Sequence, residues 1–410
     1  MKQHSPVKFM TTLAVALMTV LFMNACGGGD GDDGPAPPAP IPAGTAARLV
    51  TMTTSMSTPT TVINPAGTAT GKLAVNMETG EIGGAILYSG LSTSTIAAGI
   101  YDSAAAPGSL AIVPLSGGTG TTGAWTVPAG TSLDVFKLSA LVNGGLFFRL
   151  DTTNLTGDKR GDITFPSITI TTQMPPVAGT GSAGGGTGTL TVHLGTGAIS
   201  GTVSYSGLTS PAVAGHIYLS SDNSVIVTLT GGGAQAGTFS IPANTFLTTT
   251  QLKALANNGL YLAIHSQNFQ APVSELFGNI VYPVTTIPPV TLNGDEEVPL
   301  VIAAGSNGTG NLTVSLGTGK ISGSVAFNTQ ASNATLSHIH QGFAGTNGPP
   351  IITLTGGETL TSGTWNVPAN RFLNAVELGS LISNGLYLNV HTVAHANGEI
   401  RGQIKNVPTN

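Results

Sequence analysis

The chain alternates apolar and polar residues over short segments, most of which end at glycine-rich turns. Near the C-terminus, Leu386, Leu388 and Val390 point to one side of such a segment, whereas Tyr387 and His391 point to the other. A period of two residues indicates a β-strand with one face turned towards a core. Seven or eight such strands per domain, joined by frequent turns, predict an all-β protein made of antiparallel β-sandwiches.

The same series of motifs occurs three times along the chain. Each copy begins with two alternating segments joined by a Thr-Gly turn, which is the signature of a β-hairpin. The turn glycines are Gly80, Gly197 and Gly319. An aromatic-x-[Val/Ile]-Pro motif, a Gly-Leu-aromatic motif and a Gly-x-Ile motif follow in the same order in every copy. The three predicted domains are residues 45–165, 166–283 and 284–406.

One short helix is predicted in each domain. In the third copy Val376, Leu378 and Leu381 recur at helical spacing, and the Asn-Gly pair at 384–385 is a C-terminal stop signal. The first and second copies contain the same Asn-Gly pair. Connections between the copies are short, and prolines stiffen the second connection, so we expect the three domains to follow one another as a semi-rigid rod.

The N-terminus has the features of an export signal. Lys2 and Lys8 precede an uncharged apolar run, Phe9 to Phe22, which is too short to span a bilayer but fits the apolar region of a signal peptide. The sequence Met-Asn-Ala-Cys at 23–26 resembles a lipobox. Residues 1–25 are therefore predicted to be a lipoprotein signal peptide, and Cys26 the acylated mature N-terminus.

The segment that follows is predicted to be a tether. Residues 26–44 are rich in glycine and proline and carry almost no apolar side chains to bury. Gly27, rather than an aspartate, follows the cysteine. The resemblance to lipoprotein sorting signals then implies export to the outer membrane or cell surface rather than retention in the inner membrane.

Composition narrows the function classes. Only 8% of residues are charged, and 13 basic against 18 acidic residues give a net charge of −5, which is opposite to the basic surplus of nucleic-acid binders. Hydrophobic residues make up 40% of the chain, so a disordered protein is excluded. The single cysteine excludes a disulfide scaffold.

The third copy carries several separate motifs. They are Glu-Val-Pro at 297–299, His-Ile-His-Gln-Gly at 338–342, Asn-Gly-Pro at 347–349 and Gly-Glu-Ile-Arg-Gly at 398–402. Residues 284–405 resemble the CHRD domain, a module named for chordin and found in many bacterial secreted proteins. The first two copies are similar to it only through the repeat. The resemblance implies an immunoglobulin-like or Cu/Zn superoxide dismutase-like sandwich and no particular activity.

Histidines of the third copy are candidate metal ligands. His338 and His340 lie two residues apart on a predicted strand, so both imidazoles leave the same face. His391 lies on another predicted strand, and His395 follows in the next turn. On neighbouring strands, three or four of these imidazoles can converge on a zinc or copper ion.

A hydrogen-bonded polar patch without a metal is the alternative for the same histidines. The second copy keeps only His216 and His265 at matching positions, and the first copy has Gly99 and Asp151 there. The fold therefore does not require the histidines. A metal ion is not expected to be structural in every copy, and a metal site is expected only in the third.

An acidic residue recurs near the end of each copy. Asp158, Glu275 and Glu399 occupy one aligned position, and Arg160 and Arg401 follow two residues later. A residue kept between diverged copies indicates a structural need, so Glu399 and Arg401 are predicted to form a structural acid–arginine pair or to bond a nearby loop, together with Glu297. Nothing resembling a partner acid or nucleophile accompanies the acid, and no catalytic residue is predicted.

These features predict a membrane-anchored, extracytoplasmic and non-enzymatic surface, binding or structural module. The first two copies are expected to be spacers and the third the functional head. The expected partners are the lipid bilayer, through acylated Cys26, and an extracellular protein or glycan, with no nucleic acid. The alternative is a copper- or zinc-binding metalloprotein with a dismutase-like site at His338, His340, His391 and His395.

Overall fold

A computed structural model describes residues 46–58, 67–106, 108–153, 155–302, 305–329 and 332–410. They all belong to one compact unit, Pro35–Asn410. The predicted signal peptide, Cys26 and the whole of the predicted tether lie outside the described residues. In the part of the chain that is described, no helix is long and apolar enough to cross a membrane.

The first repeat consists of two antiparallel sheets and one helix. Its elements are β1 (Leu49–Met56), β2 (Thr68–Asn76), β3 (Ile82–Ser89), β4 (Thr95–Asp102), β5 (Val113–Pro114), β6 (Ser116–Gly117), β7 (Gly123–Thr126), α1 (Val135–Val142), β8 (Leu146–Thr152) and β9 (Leu155–Asp162). The strand orders are β1-β2-β3-β7-β6 and β5-β4-β8-β9.

The second repeat has the same plan. Its elements are β10 (Ser167–Met174), β11 (Gly185–His193), β12 (Ala198–Ser206), β13 (Ala212–Leu219), β14 (Val225–Thr228), β15 (Thr230–Gly231), β16 (Gly237–Ser240), β17 (Thr245–Phe246), α2 (Thr249–Ala256), β18 (Leu260–Ser266) and β19 (Leu276–Ile280). The strand orders are β10-β11-β12-β16-β15, with β17 beside β12, and β14-β13-β18-β19.

The third repeat follows the plan again and adds a 3-10 turn. Its elements are β20 (Thr285–Thr286), β21 (Val290–Leu292), the turn Gly294–Glu296, β22 (Asn307–Val314), β23 (Lys320–Asn328), β24 (Ala334–Gln341), β25 (Pro350–Thr353), β26 (Ser362–Asn366), β27 (Arg371–Phe372), α3 (Ala375–Ile382), β28 (Leu386–Thr392) and β29 (Ile400–Ile404). Strands β20 and β21 both pair with β22, and the orders are β20-β22-β23-β26, with β27 beside β23, and β25-β24-β28-β29.

The all-β sandwich prediction is confirmed, and so are its local signals. The turn glycines Gly80, Gly197 and Gly319 have φ angles of 73°, 77° and 74°, which only glycine adopts without strain. Helix α3 begins with a capping box between Asn374 and Glu377. It ends before Asn384, whose φ of 61° is left-handed.

The core of the third repeat lies between its two sheets. Leu312 and Val325 from one sheet and Ile339 and Leu388 from the other belong to one buried cluster. Trp365 of β26 is fully buried in the same cluster. Because the core-facing side of β24 and β28 is apolar, the histidines of these strands face outwards, away from the core.

The expected rod is wrong, because repeats 1 and 3 are in direct contact. Helix α3 packs against β2 and β3, and at Gly379 a Cβ atom would come within 2.2 Å of the carbonyl carbon of Gly83. Lys72 Nζ donates to the carbonyl of Ile382 at 2.7 Å, and the backbone nitrogen of Leu49 donates to Gly317 at 2.8 Å. Prolines in a connection restrict the chain but do not keep distant domains apart.

The end of the chain also lies against the first repeat. The hydroxyls of Thr409 and Thr53 are 2.8 Å apart, and the backbone nitrogen of Asn410 donates to Thr51 Oγ1 at 3.3 Å. The second repeat joins the same region, since Arg48 Nη2 donates to the carbonyl of Leu194 at 2.7 Å. Strand β1 and the residues before it therefore contact all three repeats.

Candidate metal centre in the third repeat

Two neighbouring strands carry the three clustered histidines. Strand β24 pairs antiparallel with β28, with His338 opposite Asn389 and His340 opposite Tyr387. His391 lies two residues beyond Asn389 on the same face of β28. The register thus places all three imidazoles on the outer face of the second sheet, as the sequence predicts.

The three imidazoles lie close enough to share one ion. Each of His338, His340 and His391 offers a ring nitrogen, and these nitrogens lie within 4.8 Å of one another. The ring centroids are 5.3 Å apart for His338 and His340, 5.0 Å for His338 and His391, and 5.8 Å for His340 and His391. A small shift of the rings would place one nitrogen of each ring 2.0–2.1 Å from a shared ion, which is the typical zinc–nitrogen bond length.

Backbone carbonyls fix which nitrogen of two rings is free. His340 Nδ1 lies 2.9 Å from the carbonyl oxygen of Gly348, and His391 Nδ1 lies 3.0 Å from that of Ala396. A carbonyl accepts only, so each Nδ1 carries the proton and each Nε2 presents a lone pair. This arrangement, with one ring nitrogen held by a carbonyl, is the usual support of a metal-bound histidine.

The nitrogens that remain are incompletely satisfied. His391 Nε2 is 3.1 Å from His338 Nδ1, which is the one hydrogen bond between the rings. His340 Nε2 is buried and has no hydrogen-bond partner. Leaving a buried acceptor unpaired costs about 1–3 kcal/mol, so this atom calls for an explanation.

Burial favours the neutral form of all three imidazoles. It lowers the pKa of His338 and His391 below the ordinary histidine value, and it lowers the pKa of His340 to about 4. Neutral imidazole is the form that binds a metal ion. The cluster is therefore ready to bind without first losing protons.

A loop held by Arg401 covers the cluster. The loop, residues 342–349, carries the Gly348 carbonyl that orients His340. Arg401 Nη2 donates to the carbonyls of Phe343 at 3.1 Å and Thr346 at 2.9 Å. The Arg401 guanidinium lies 3.5 Å from the ring centroid of Tyr387. The Tyr387 ring also stacks on the imidazole of His340, with ring centroids 4.9 Å apart.

His395 is not part of the cluster. Its backbone nitrogen donates to Thr392 Oγ1 at 3.1 Å, and its carbonyl accepts from Thr392 and Gly398. The residue thus shapes the hairpin between β28 and β29, and its half-buried ring does not join the group that the structure assembles.

The predicted acid–arginine pair consists of two buried side chains with different hydrogen-bond partners. Glu399 accepts from Ser306 at 2.5 Å and from Thr392 at 2.8 Å, whereas Arg401 holds the loop. The equivalent Asp158 likewise accepts from Thr152 at 3.1 Å. Direct pairing of Glu399 with Arg401 stays a prediction.

The outer face of the equivalent sheet carries different groups at these positions in repeats 1 and 2. In repeat 2 the hydroxyl of Tyr218 takes the place of the His340 ring and lies 3.2 Å from His216 Nδ1 and 2.9 Å from His265 Nε2. In repeat 1 Arg149 forms an ion pair with Asp151 at 3.1 Å and donates to the hydroxyl of Tyr101 at 2.8 Å.

Sequence reasoning did not assign Tyr387 and Asn389 to the site, and it named Glu297 only as a further partner of Glu399 and Arg401. Tyr387 stacks on His340, and Asn389 lies between His391 and the loop-holding Arg401 on the sheet. Glu297 is buried beside Asn389, with Oε2 3.5 Å from Asn389 Nδ2, and burial raises its pKa to about 7. The alternation of residues along β28 could have identified Tyr387 and Asn389, because they share one side of the strand with His391.

Comparison with known proteins agrees with the repeat structure. The family model of the CHRD domain matches residues 166–278 and 289–404, which is more than half of the chain. No curated protein and no solved structure gives a significant match. The family model does not extend to residues 45–165, which share the strand order of the two matched repeats. The chain belongs to the family of CHRD-domain proteins.

Proposed function

We propose that this chain is an exported, membrane-anchored binding module whose third repeat binds a divalent transition-metal ion, with zinc or copper as the ions its ligands suit best. The ligands are His338, His340 and His391. The observation that carries the proposal is the buried, unpartnered Nε2 of His340, which belongs to a cluster with two further imidazoles, one of them held by a backbone carbonyl.

A hydrogen-bonded patch is the competing explanation, and the contrast with the other repeats argues against it. In repeat 2 Tyr218 supplies a hydroxyl between two imidazoles, and in repeat 1 an arginine supplies donors to an aspartate and a tyrosine. In repeat 3 the central group is an imidazole, whose second nitrogen has no donor facing it. A bound cation supplies what that nitrogen lacks.

The proposal is one of binding without redox turnover. The group that the described residues form consists of three histidines, with no carboxylate among them. Dismutase-like chemistry uses more histidines and an aspartate. Metal binding here would instead fix the loop at 342–349 and the outer face of the sheet, which suits a module that recognises an extracellular protein or glycan.

Zinc binding to the full chain tests the metal site. We expect the parent protein to bind one zinc ion through repeat 3, and His340→Tyr to weaken zinc binding by more than about 100-fold, because even the partners behind a ligand are worth about 10–100-fold. His340→Tyr reproduces the arrangement of repeat 2, so the variant should fold. Isothermal titration and metal analysis after dialysis measure the affinity and the stoichiometry.

His395→Ala is the matched control, since this histidine lies in the adjacent hairpin but outside the cluster. We expect it to bind zinc as the parent does. Equal zinc binding by the parent and His340→Tyr, or no zinc binding by the folded parent, would refute the metal site. Loss of binding in His395→Ala would show that the ligand set is different.

Anchoring through Cys26 is a separate part of the proposal and is supported by the lipobox-like sequence alone. Cys26→Ser removes the only sulfur that can be acylated in the chain, so we expect an unprocessed precursor without lipid. Metabolic labelling with a fatty acid and membrane fractionation of cells provide the measurement. A variant that matures and fractionates like the parent would contradict lipid anchoring.

A further inference from the structure

Repeat 2 contains a second set of converging donor atoms, made of two imidazoles and a phenol. His216 and Tyr218 lie on β13, and His265 lies on the neighbouring strand β18. Tyr218 Oη is 3.2 Å from His216 Nδ1 and 2.9 Å from His265 Nε2. The centroids of the two imidazole rings are 5.3 Å apart.

These separations match those between neighbouring ligands of one ion. Metal–ligand bonds of 2.0–2.1 Å place adjacent donor atoms about 2.8–3.0 Å apart in octahedral geometry and about 3.3–3.4 Å apart in tetrahedral geometry. Tyr218 Oη therefore already lies at a ligand-to-ligand distance from each of the two nitrogens. His216 is only half-buried, which leaves a route from solvent to the donors, whereas Tyr218 and His265 are buried.

The support behind the donors is the same as in repeat 3. His265 Nδ1 lies 2.6 Å from the carbonyl oxygen of Val273, just as His391 Nδ1 is held by Ala396. The carbonyl keeps the proton on Nδ1 and leaves the Nε2 lone pair for a ligand bond. Tyr218 is held in place by stacking on Tyr261, with ring centroids 4.9 Å apart and planes 7° from parallel.

We propose that His216, Tyr218 and His265 form a second metal site, which binds a strongly Lewis-acidic ion, Fe(III) or Cu(II), with Tyr218 as a phenolate ligand. The donor set differs from the three imidazoles of repeat 3 by one hard, negatively charged oxygen. The two repeats would thus offer ligand sets of different hardness on the same scaffold.

The preference follows from the phenol. A tyrosine hydroxyl has an ordinary pKa of about 10, so at neutral pH the ion must displace its proton, which only a strong Lewis acid does readily. On binding, the Oη–H bond breaks, the proton passes to solvent, and an oxygen–metal bond forms. The oxidation state of the ion does not change.

The competing explanation is that the Tyr218 hydroxyl takes the place of an ion. In that case the hydroxyl donates to His265 Nε2 and accepts from His216 Nδ1, and the cluster is complete as it stands. The two explanations differ in what an added ion does to the phenol, because a bound phenolate absorbs visible light and a hydrogen-bonded phenol does not.

The test is a titration of the full chain, first saturated with zinc, with ferric nitrilotriacetate and separately with Cu(II). We expect a visible phenolate-to-metal charge-transfer band that saturates at one ion per chain with at least one of the two ions. Tyr218→Phe keeps the ring that stacks on Tyr261 and removes only the oxygen, so it should abolish the band.

Tyr218→His supplies an independent check, because it copies the three-histidine set of repeat 3. We expect this variant to lose the band and to bind a second zinc ion. Absence of a band in the folded parent with both ions, or a band of equal strength in Tyr218→Phe, would overturn the proposal. Neither result depends on the zinc site of repeat 3, whose failure would appear as a lack of zinc in the parent.

Discussion

Arg401→Met is expected to lower the free energy of unfolding of the third repeat by about 2–4 kcal/mol and to weaken its zinc binding about tenfold. Arg401 is 1% exposed and donates to the carbonyls of Phe343 and Thr346 and to the side chain of Asn347. Methionine fills a similar volume but leaves these acceptors without their charged donor.

The loss of zinc affinity follows from the same contacts. The loop that Arg401 holds carries the Gly348 carbonyl, which fixes the proton of His340 on Nδ1. A loosened loop no longer orients that imidazole. Arg401 also covers the ring of Tyr387, on which His340 stacks, so the variant removes support from two sides of one ligand.

Urea unfolding followed by tryptophan fluorescence measures the change in stability. The chain contains two tryptophans, and a Trp125→Phe background leaves only Trp365, which is fully buried in repeat 3. Arg160→Met is the matched control, because Arg160 lies at the equivalent register position in repeat 1 with its side chain 45% exposed. We expect the control to change stability by less than about 0.5 kcal/mol.

Equal effects of Arg401→Met and Arg160→Met would show that burial of Arg401 contributes nothing beyond a surface arginine. A large loss of stability with unchanged zinc affinity would separate the loop from the metal site. The first result contradicts the structural role of Arg401, and the second contradicts its role in orienting His340.

Glu297→Gln is expected to stabilise the protein at pH 8 by on the order of 2–3 kcal/mol and to leave its stability at pH 4.5 nearly unchanged. Glu297 is 6% exposed, and its Oε1 has no hydrogen-bond partner. Burial raises its pKa from 4.5 to about 7, although the charge of Arg401 and the amide of Asn389 act in the opposite direction.

The sign of the pH dependence follows from that shift. The folded protein holds the Glu297 proton more tightly than the unfolded chain, so the group stabilises the fold fully below pH 4.5. This contribution is lost as the pH rises through about 7, where the folded protein must bury a carboxylate. Glutamine has the same shape and stays neutral, so the variant does not lose this stability as the pH rises.

Unfolding free energies of the parent and the variant, measured between pH 4.5 and 8.5, give the comparison. The difference between the two proteins isolates Glu297 from every other titrating group. Glu296→Gln is the control, since this neighbour is partly exposed and pairs with Lys405 at 3.5 Å. We expect less than about 1 kcal/mol from it at any pH. A constant difference between Glu297→Gln and the parent across this range would contradict the assignment.

The repeats and their strands could be predicted from sequence because the signals are local. Alternation along β28 and left-handed turns at Gly80, Gly197 and Gly319 are properties of neighbouring residues, and the structure has them as predicted. The packing of α3 against β3 could not be predicted. It depends on Gly83 and Gly379, two residues about 300 positions apart, whose missing side chains allow the close contact.

The candidate site shows the same division. The pair His338 and His340 followed from strand geometry, and His391 from the assumption that its strand is a neighbour, which β24 and β28 satisfy. His395 was assigned by its distance along the chain, but it contacts Thr392 through its backbone nitrogen, and its ring is not among the clustered imidazoles. The role of Gly348 depends on a loop conformation that no periodicity encodes.

Because the last residues contact the first strand, the order of the repeats along the chain does not determine which repeats are neighbours in space. Because Thr409 and Asn410 lie against β1, residues from opposite ends of the described part of the chain are close neighbours. A short linker between the two ends would close the described chain into a ring, and such a ring can be opened between any two repeats without breaking a contact within one. The connections would therefore tolerate a gene duplication that added or reordered repeats. The contacts of the repeats with the shared surface around β1 would limit such a change.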